Sequence, residues 1–249
     1  MGRRNVPVPP FFEIGPKSYL YGDDILDLAL AADKASKKYG VDIIFTTPYT
    51  EIRRVAKATE RLFVYAPHMD ALSPGRGLAD ILPEAIKAAG AVGVMLNHCE
   101  RPLTLGVLEK TIERARRIEL ATIVCADTIA EAKAIACLNP DIIVAEPSEL
   151  IGTGQTGSMD YVKASIEAVQ SINPDILVLQ GAGISCGEDV YRVIYHGAQA
   201  TGSSSGIIKA AGRAAMIDEM ISAVRRAADD RTVQDLPGEG DDCGKWKKS

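Results

Sequence analysis

Short apolar segments recur along the chain, separated by longer stretches of mixed polarity. Most of the short segments are apolar at consecutive positions, which is typical of strands in a parallel sheet that is covered on both faces. They are FFEI (11–14), VDIIF (41–45), RLFVYA (61–66), AVGVML (91–96), ATIVCA (121–126), DIIVA (141–145), DILVL (175–179) and GAQAT (197–201).

The stretches between these segments carry a helical period. Between positions 23 and 39, for example, Ile25, Leu28, Ala29 and Ala32 fall on one face of a helix. The same period is present in 82–89, 105–118, 128–138, 158–171, 188–195 and 216–227. Regular alternation of strand and helix predicts an α/β protein with a (β/α)₈ barrel.

An open, doubly wound sheet is the main alternative fold for this alternation. Such a sheet usually carries a glycine fingerprint of the form GxGxxG after its first strand. The segment GPKSYLYG, which follows FFEI, does not have this form. The barrel is therefore the preferred prediction, and it places an active site at the carboxyl ends of the strands.

Chain length and composition are consistent with one barrel domain. The 249 residues are 47% hydrophobic, which is enough to bury one large core. We expect the barrel to span residues 1–228. Residues 229–249 lose the apolar period and are rich in Gly, Asp and Lys, so we expect them to form a flexible extension.

Charge and hydropathy limit the classes of partner. The net charge of −5, without a basic stripe, argues against binding of nucleic acid. No stretch approaches the roughly 18 apolar residues that indicate a membrane span. The five cysteines form no CxxC pair, which favours reduced thiols and a cytoplasmic protein. A small soluble molecule is the expected partner.

Polar side chains follow three of the predicted strands at the edge where a barrel has its active site. Lys17 comes after the first strand. Asn97, His98 and Glu100 follow the fourth strand, and Glu146 follows the sixth. Because the carboxyl ends of the strands meet at one face of a barrel, the sequence predicts that one amine, one imidazole and two carboxylates converge there.

Two neighbouring loops are rich in glycine and serine. Backbone N–H groups in such loops can approach phosphate oxygens closely, and serine hydroxyls add donors without bulk. In many barrels the loops after strands seven and eight bind a phosphate group. Each loop alone could be an ordinary turn, but their adjacency favours a phosphate site. The residues are Gly181, Gly183 and Ser185 after strand seven, and Ser203, Ser204, Ser205 and Gly206 after strand eight.

Two other kinds of chemistry are possible around His98. Cys99 could pair with His98 as a thiol nucleophile, but successive residues of an extended segment point to opposite sides. A metal site would need more ligands than His98 and Glu100, and no second histidine cluster or DxD spacing accompanies them. His68 and His196 have no evident partner in the sequence.

Several motifs resemble those of the triosephosphate isomerase family, most closely its short archaeal type. LNHCERP (96–102) is similar to the family's histidine segment, and AEPSELIGTG (145–154) to its catalytic glutamate and lid. GAGIS (181–185) and SSSGIIKA (203–210) resemble its phosphate loops, and PKSYLYG (16–22) the segment with its lysine. The resemblance runs from about residue 11 to residue 225 and implies a TIM barrel.

The resemblance implies an aldose–ketose isomerase that acts on a small phosphorylated sugar without a metal or an organic cofactor. Glu146 would be the base and His98 the neutral group that polarises the carbonyl, as is established for this family. Lys17 would supply positive charge, and Glu100 would join the hydrogen-bond network around it. A lid would close over the ligand, and the protein would be a homo-oligomer, either a dimer or a tetramer. The phosphate would be held by Gly152, Gly183, Ser185, Ser205 and Gly206.

The chain departs from the family pattern at three places. Gly15 stands where the family has an asparagine two residues before its lysine, which could open space for a longer sugar phosphate. Leu78 replaces a threonine that reaches into the neighbouring subunit. The residues 200–202, which precede SSSG, are more polar than is usual in the family.

Substrate and reaction class stay open on this basis. Triose phosphate is the preferred substrate, and a four-carbon ketose phosphate of the erythrulose type is the alternative for the same reaction. A phosphate-binding lyase or aldolase would use Lys17 as a Schiff-base amine, although such a lysine usually lies on a later strand. A binding barrel without chemistry would not need to keep Glu146, His98 and Lys17 together.

Overall fold

The computed structural model describes residues 5–150, 158–181 and 183–234, in which parallel strands close into a barrel. The strands are β1 (Phe11–Ile14), β2 (Ile43–Thr46), β3 (Leu62–Ala66), β4 (Gly93–Leu96), β5 (Ala121–Ala126), β6 (Ile142–Ala145), β7 (Leu177–Gln180) and β8 (Ala200–Ser203). Each strand pairs with the next one in the chain, and β8 pairs with β1. The predicted eight-stranded barrel is therefore confirmed.

Helices surround the barrel and connect its strands. They are α1 (Asp23–Tyr39), α2 (Ile52–Ala58), α3 (Pro83–Ala89), α4 (Leu105–Arg117), α5 (Ile129–Ala136), α6 (Met159–Gln170), α7 (Gly187–Tyr195), α8 (Ser205–Ile208) and α9 (Arg213–Gln234). Single turns of 3₁₀ helix lie at Tyr49–Glu51 and Ser148–Leu150. Within the described ranges, no helix has the length and apolar character needed to cross a membrane.

The hydrophobic core has two layers because alternate residues of a strand face opposite sides of the sheet. One layer fills the barrel interior, and the other packs between the strands and the helices. The interior layer includes Phe11, Ile44, Tyr65, Ile123, Ile142 and Leu179. The outer layer includes Phe12, Ile14, Ile43, Phe45, Val124 and Ile143. Burial of both faces explains why the strands are apolar at consecutive positions.

The helix α2 has no counterpart in the sequence prediction. It has seven residues and buries only Ile52 and Val55, so its apolar period is too short to recognise. The helix α1, in contrast, has 17 residues and spans the segment in which the apolar period was clear.

The last strand lies about three residues later than the segment GAQAT predicted, since β8 spans Ala200–Ser203. Its glycine has a packing reason. A Cβ at Gly202 would lie 2.8 Å from the carbonyl oxygen of Glu13 and 3.1 Å from Oε2 of the same residue. The strand β8 therefore contains a glycine and hydroxyl side chains. Because it has few apolar residues, the apolar pattern of the sequence did not show its position.

The C-terminal helix is longer than predicted. The helix α9 continues to Gln234, six residues beyond the boundary that the sequence predicted at residue 228. Arg231 donates hydrogen bonds to the carbonyl oxygens of Ile194, at 3.0 Å, and Ala198, at 3.4 Å. These contacts hold a polar segment that has no apolar period. The remaining residues of the predicted extension, 235–249, lie outside the described residues.

Gly93, at the start of β4, leaves room for the ring of Tyr65. Tyr65 is fully buried, and its hydroxyl donates a hydrogen bond of 2.8 Å to the carbonyl oxygen of Asn5. A Cβ at position 93 would overlap the Tyr65 ring. We expect Gly93→Ala to lower the free energy of unfolding, measured by urea denaturation, by roughly 1–3 kcal/mol because the core becomes overpacked.

Gly106→Ala is the matched control for this experiment. Gly106 is an exposed residue of α4, and a Cβ there would meet nothing within 4 Å. Because alanine favours a helix more than glycine does, we expect the free energy of unfolding of this variant to increase by up to about 1 kcal/mol. Destabilisation by Gly106→Ala that equals the effect of Gly93→Ala would contradict the packing explanation.

Candidate active site

A cavity of about 390 Å³ opens at the carboxyl ends of the strands, a volume suited to a small molecule. Lys17, His98, Glu100 and Glu146 all line it. They reach it from the ends of β1, β4 and β6. The structure therefore brings together the four side chains that the sequence analysis selected as catalytic.

Asn97 fixes the start of the loop that carries His98. Its backbone has a positive φ of 57°, a conformation that asparagine tolerates better than most residues. Its side-chain amide donates hydrogen bonds of 3.0 Å to the carbonyl oxygen of Cys125 and to Glu131 Oε1. Its Oδ1 accepts a hydrogen bond of 2.9 Å from the N–H of Leu103. These bonds tie the loop to β5 and α5, so the position of His98 is well defined.

The hydrogen bonds of His98 indicate which ring nitrogen carries the proton. The backbone N–H of Glu100 donates to His98 Nδ1 at 3.1 Å, so the proton of the neutral ring is on Nε2. Nε2 lies 3.9 Å from Glu146 Oε2. Burial and the charge of Lys17 lower the pKa of His98, against the opposing effect of Glu100. His98 is therefore a neutral imidazole that can donate a hydrogen bond from Nε2 into the cavity.

Lys17 and Glu100 form an ion pair at the cavity wall, with 3.0 Å between Nζ and Oε1. Burial disfavours charge on Lys17, but its hydrogen bond to Glu100 and the charges of Glu100 and Glu146 raise its pKa overall. The hydrogen bond from Lys17 lowers the pKa of Glu100. Both groups are therefore charged near neutral pH. The backbone of Lys17 has a positive φ of 50°, which is uncommon for lysine and is often found at functional sites.

Glu146 follows β6, and its position depends on a neighbouring glycine. Its backbone N–H donates a hydrogen bond of 3.0 Å to the carbonyl oxygen of Ala126. A Cβ at Gly181 would lie 2.8 Å from the Cβ of Glu146 and 3.0 Å from its Cδ. Gly181, which the sequence analysis assigned only to a phosphate loop, therefore also makes room for the carboxylate.

The predicted phosphate residues have different surroundings. Gly183 and Ser205 line the cavity, and Gly183 has a positive φ of 75° that favours glycine. Ser185 directs its N–H and its hydroxyl to Oδ2 of Asp189, at 3.0 and 2.7 Å, so both of its donors are used within the protein. Gly152 lies outside the described residues.

Gly206 allows the loops after β7 and β8 to approach each other. A Cβ there would lie 2.6 Å from the carbonyl oxygen of Ile184 and 2.7 Å from Ser203 Oγ. Ser204, on the other hand, lines the cavity, and its buried Oγ has no hydrogen-bond partner within the described part of the chain. Ser204 thus offers a hydroxyl that is unpaired among the described residues, next to Ser205 and within the glycine–serine loop that the sequence indicated.

His68 also lines the cavity, although the sequence showed no partner for it. Its Nε2 lies 3.2 Å from Asp70 Oδ1. Burial lowers the pKa of His68, with the hydrogen bond to Asp70 opposing this effect. His68 and Asp70 are two residues apart in the loop after β3. Two polar residues at this strand end were the sequence signal for the contact.

Glu13 is a third carboxyl group of the cavity, besides Glu100 and Glu146, and the sequence did not reveal it because it lies within the otherwise apolar segment FFEI. Its relative exposure is 9%, and Thr46 Oγ1 donates a hydrogen bond of 2.7 Å to its Oε1. Burial and the charge of Glu146 raise the pKa of Glu13 from 4.5 to about 7, against the effects of Thr46 and Lys17. A charged residue in a strand that is buried on both faces was the available signal.

The other chemistries considered for His98 receive no support from the geometry. In the described part of the chain, no three His, Cys, Asp or Glu side chains form a group that could hold a metal ion. The segment after His98 is a turn and not extended, so Cys99 Sγ lies 3.7 Å from His98 Nδ1. Burial raises the pKa of Cys99, which keeps it as a thiol. A thiolate nucleophile is therefore disfavoured.

Glu13 should make the stability of the protein depend on pH. Because its pKa rises from 4.5 in an exposed setting to about 7 in the fold, the folded state holds a proton that the unfolded state releases between these values. Stability from this group is fully present below pH 4.5 and decreases as the pH rises to about 7. At 1.36 kcal/mol per pKa unit, the loss is at most about 3 kcal/mol.

The isosteric variant Glu13→Gln tests this dependence. Glutamine keeps an oxygen that can accept the hydrogen bond of Thr46, but it does not ionise. We expect its stability, relative to the unsubstituted protein, to increase between about pH 5 and about pH 8 in urea denaturation. A stability difference that stays constant over this interval would show that Glu13 has an ordinary pKa.

Comparison with known proteins agrees with this geometry. Residues 17–220 match the family described as triosephosphate isomerase. A triosephosphate isomerase of Sulfolobus acidocaldarius is 37% identical over 227 residues, which cover 90% of this chain and 98% of the relative. That of Methanosarcina mazei is 37% identical over 220 residues, or 86% and 99% of the two chains.

A third relative extends the comparison within the archaea. The triosephosphate isomerase of Methanocaldococcus jannaschii is 38% identical over 203 residues, which cover 80% of this chain and 92% of the relative. The resemblance to the short archaeal type, first seen in five motifs, is thus confirmed over most of the chain. The chain belongs to the triosephosphate isomerase family.

Proposed function

We propose that this protein is an isomerase that interconverts dihydroxyacetone phosphate and glyceraldehyde 3-phosphate. The observation that carries the proposal is the meeting of Glu146, a neutral His98 and a charged Lys17 in one cavity of a member of this family. A base, a hydrogen-bond donor and a positive charge are the three groups that enolisation of a ketone requires.

The proposed reaction moves one proton between neighbouring carbons. The Glu146 carboxylate removes a proton from the carbon next to the carbonyl, the C–H electrons form a C=C bond, and the carbonyl π electrons move to oxygen. In the resulting enediolate, the oxygen on carbon 1 gives up its hydroxyl proton and the former carbonyl oxygen on carbon 2 gains one. Glu146 then returns its proton to carbon 2 while the carbonyl forms at carbon 1, which completes the isomerisation. His98 Nε2–H donates to the carbonyl oxygen, and the Lys17 ammonium stabilises the negative charge that develops.

We assign phosphate binding to the loops after β7 and β8. Gly183, Ser204 and Ser205 line the cavity, and the first N–H groups of a helix have no acceptor within the helix. Ser185 and Gly206 are assigned an indirect role, because Ser185 bonds to Asp189 and Gly206 packs against Ile184. Gly152 lies outside the described residues, and its contact with the phosphate remains a prediction.

The geometry around Gly15 favours a triose over a four-carbon sugar. The absent side chain does not leave an empty space, because an added Cβ would lie 3.0 Å from Glu13 Oε1 and 3.6 Å from Oε2. The carboxyl of Glu13 thus occupies the space that a longer sugar would use. Gly15 contributes to specificity by admitting this carboxyl to the cavity.

An aldolase reaction is disfavoured by the state of Lys17. A Schiff base requires the neutral amine as nucleophile. Lys17 instead bonds to Glu100 at 3.0 Å and has a raised pKa, so it is protonated near neutral pH.

We further propose that the protein works as a cytoplasmic homo-oligomer. Cys99, Cys125, Cys137 and Cys186 are free thiols, as expected in a reducing compartment. Leu78 is fully exposed in the loop where the family contacts its neighbouring subunit, and an exposed apolar side chain suits burial in such a contact. Light scattering of the purified protein would give the mass of the particle in solution. We expect a multiple of the chain mass, and the mass of a single chain would contradict the proposed homo-oligomer.

The function is tested by assaying the purified protein with dihydroxyacetone phosphate and with two erythrulose phosphates. We expect kcat/KM to be highest for the triose. A higher value for a four-carbon substrate would make that sugar the substrate of the same reaction. Borohydride trapping of a covalent adduct on Lys17 would instead indicate an aldolase.

Glu146→Asp should retain the carboxylate but withdraw it from the carbon. We expect kcat to fall by about a hundredfold or more, because a displacement of about 1 Å is enough for such a loss. Affinity for inorganic phosphate should be nearly unchanged, since phosphate binds elsewhere in the cavity. Glu109→Asp, on the exposed face of α4, is the matched control. A Glu146→Asp enzyme with full turnover would exclude Glu146 as the base.

A further inference from the structure

Glu13 lies at the floor of the cavity, below the strand ends that carry the catalytic groups. Its backbone is in register with Ile44 of β2 and Gly202 of β8. The next pair of residues, Ile14 and Ser203, lies one level nearer to the cavity mouth. A ligand whose phosphate is bound by the loops at the mouth would therefore direct its other end towards Glu13.

Two glycines make room for the carboxyl group of Glu13. A Cβ at Gly15 would lie 3.0 Å from Glu13 Oε1, and a Cβ at Gly202 would lie 3.1 Å from Oε2. Both distances are shorter than ordinary contacts between these atoms, so a larger residue at either position would displace the carboxyl. Glu146 has the same relation to Gly181, where the corresponding distance to its Cδ is 3.0 Å. The carboxyl groups of Glu13 and Glu146 are thus accommodated in the same way.

The two oxygens of Glu13 have different surroundings. Oε1 accepts the hydrogen bond of 2.7 Å from Thr46 Oγ1. Oε2 lies on the side of Gly202, where an added Cβ would be 3.1 Å away. Glu13 lines the cavity together with Thr46 and Gly202. Because the hydrogen bond from Thr46 uses Oε1, Oε2 is the oxygen that we expect a ligand in the cavity to contact.

We propose that Glu13 is an additional substrate-binding residue whose Oε2–H donates a hydrogen bond to the substrate oxygen on carbon 1, at the end remote from the phosphate. The inference rests on the proposed isomerase function and names the group that holds the sugar end of the substrate. Carbon 1 carries a hydroxyl in the ketose and a carbonyl in the aldose, and an O–H donor can bond to the oxygen of either.

The charges around Glu13 are consistent with its protonated form. The ionised base Glu146 raises its pKa, and Lys17 lowers it less than burial and Glu146 together raise it. Cys125, which faces it from β5, is neutral because burial raises its pKa well above the ordinary value. A second negative charge beside the enediolate would oppose the reaction, whereas a neutral carboxyl group stabilises the developing oxyanion. Glu146 is thus the base and Glu13 a hydrogen-bond donor.

Two variants separate the functions of the Glu13 side chain. Glu13→Gln keeps a hydrogen-bond donor but does not titrate, and Glu13→Leu has a similar volume without any donor. The measurements are kcat/KM for dihydroxyacetone phosphate between about pH 5.5 and about pH 9, and the dissociation constant of inorganic phosphate. Glu109→Gln makes the same substitution as Glu13→Gln, but on the exposed face of α4, and serves as the matched control.

The unsubstituted enzyme should lose kcat/KM as the pH rises through about 7, because Glu13 then loses the donated proton. This loss should be absent in Glu13→Gln. Glu13→Leu should lower kcat/KM by roughly ten- to a hundredfold at every pH, which is the usual effect of losing one such hydrogen bond. Affinity for inorganic phosphate should stay within about twofold in both variants, because phosphate does not reach the cavity floor.

Other outcomes would overturn the inference in recognisable ways. An active enzyme whose Glu13→Leu variant keeps its kcat/KM would exclude a contact between Glu13 and the substrate. Loss of phosphate affinity in parallel with kcat/KM would indicate a structural role instead. Identical pH profiles for the unsubstituted protein and Glu13→Gln would exclude the protonated donor. An unsubstituted protein without triose isomerase activity would reject the proposed function itself.

Discussion

Closure of the barrel by the pairing of β1 with β8 is the constraint on which the site depends. This pairing joins segments nearly 190 residues apart, with Phe11 opposite Ala200 and Ile14 opposite Ser203. It places the loop of Lys17 beside the glycine–serine loop after β8. Because all strands are parallel, their carboxyl ends face the same cavity. The groups from β4 and β6 then need only short loops to reach it.

The electrostatics of the cavity depend on which groups are charged. Lys17 and Glu100 stabilise each other's charges over 3.0 Å. His98 is kept neutral by burial and by the neighbouring Lys17. Burial and Glu146 raise the pKa of Glu13 to about 7. One cavity thus contains an ion pair, a neutral donor and, in Glu13, a carboxyl group whose pKa is raised to about 7.

Small residues in the barrel are as important for the site as the charged ones. Gly181 and Gly202 leave the volume that the side chains of Glu146 and Glu13 occupy. Gly206 lets the two loops at the mouth approach each other. The close packing of a barrel interior leaves no other space for these side chains. Gly202 in β8 is therefore related to the presence of Glu13.

Local sequence patterns were sufficient to predict the barrel and most of the polar groups that line its cavity. Consecutive apolar positions identified the strands, and the motifs around Lys17, His98 and Glu146 identified the site, because both signals are local in the chain. These patterns did not show the helix α2, in which the apolar period is too short to recognise. They also did not show the position of β8, because its residues are small and mostly polar.

The contacts between residues that are distant in the chain became evident only from the three-dimensional fold. The hydrogen bond from Thr46 to Glu13, the volume that Gly181 leaves for Glu146, and the close approach of Gly202 to Glu13 are examples. Each depends on distances across the barrel, and such distances set both the available space and the cost of charge. A local pattern of residue types contains neither quantity, which is why Glu13 was counted as part of an apolar strand before the fold showed its carboxyl group in the cavity.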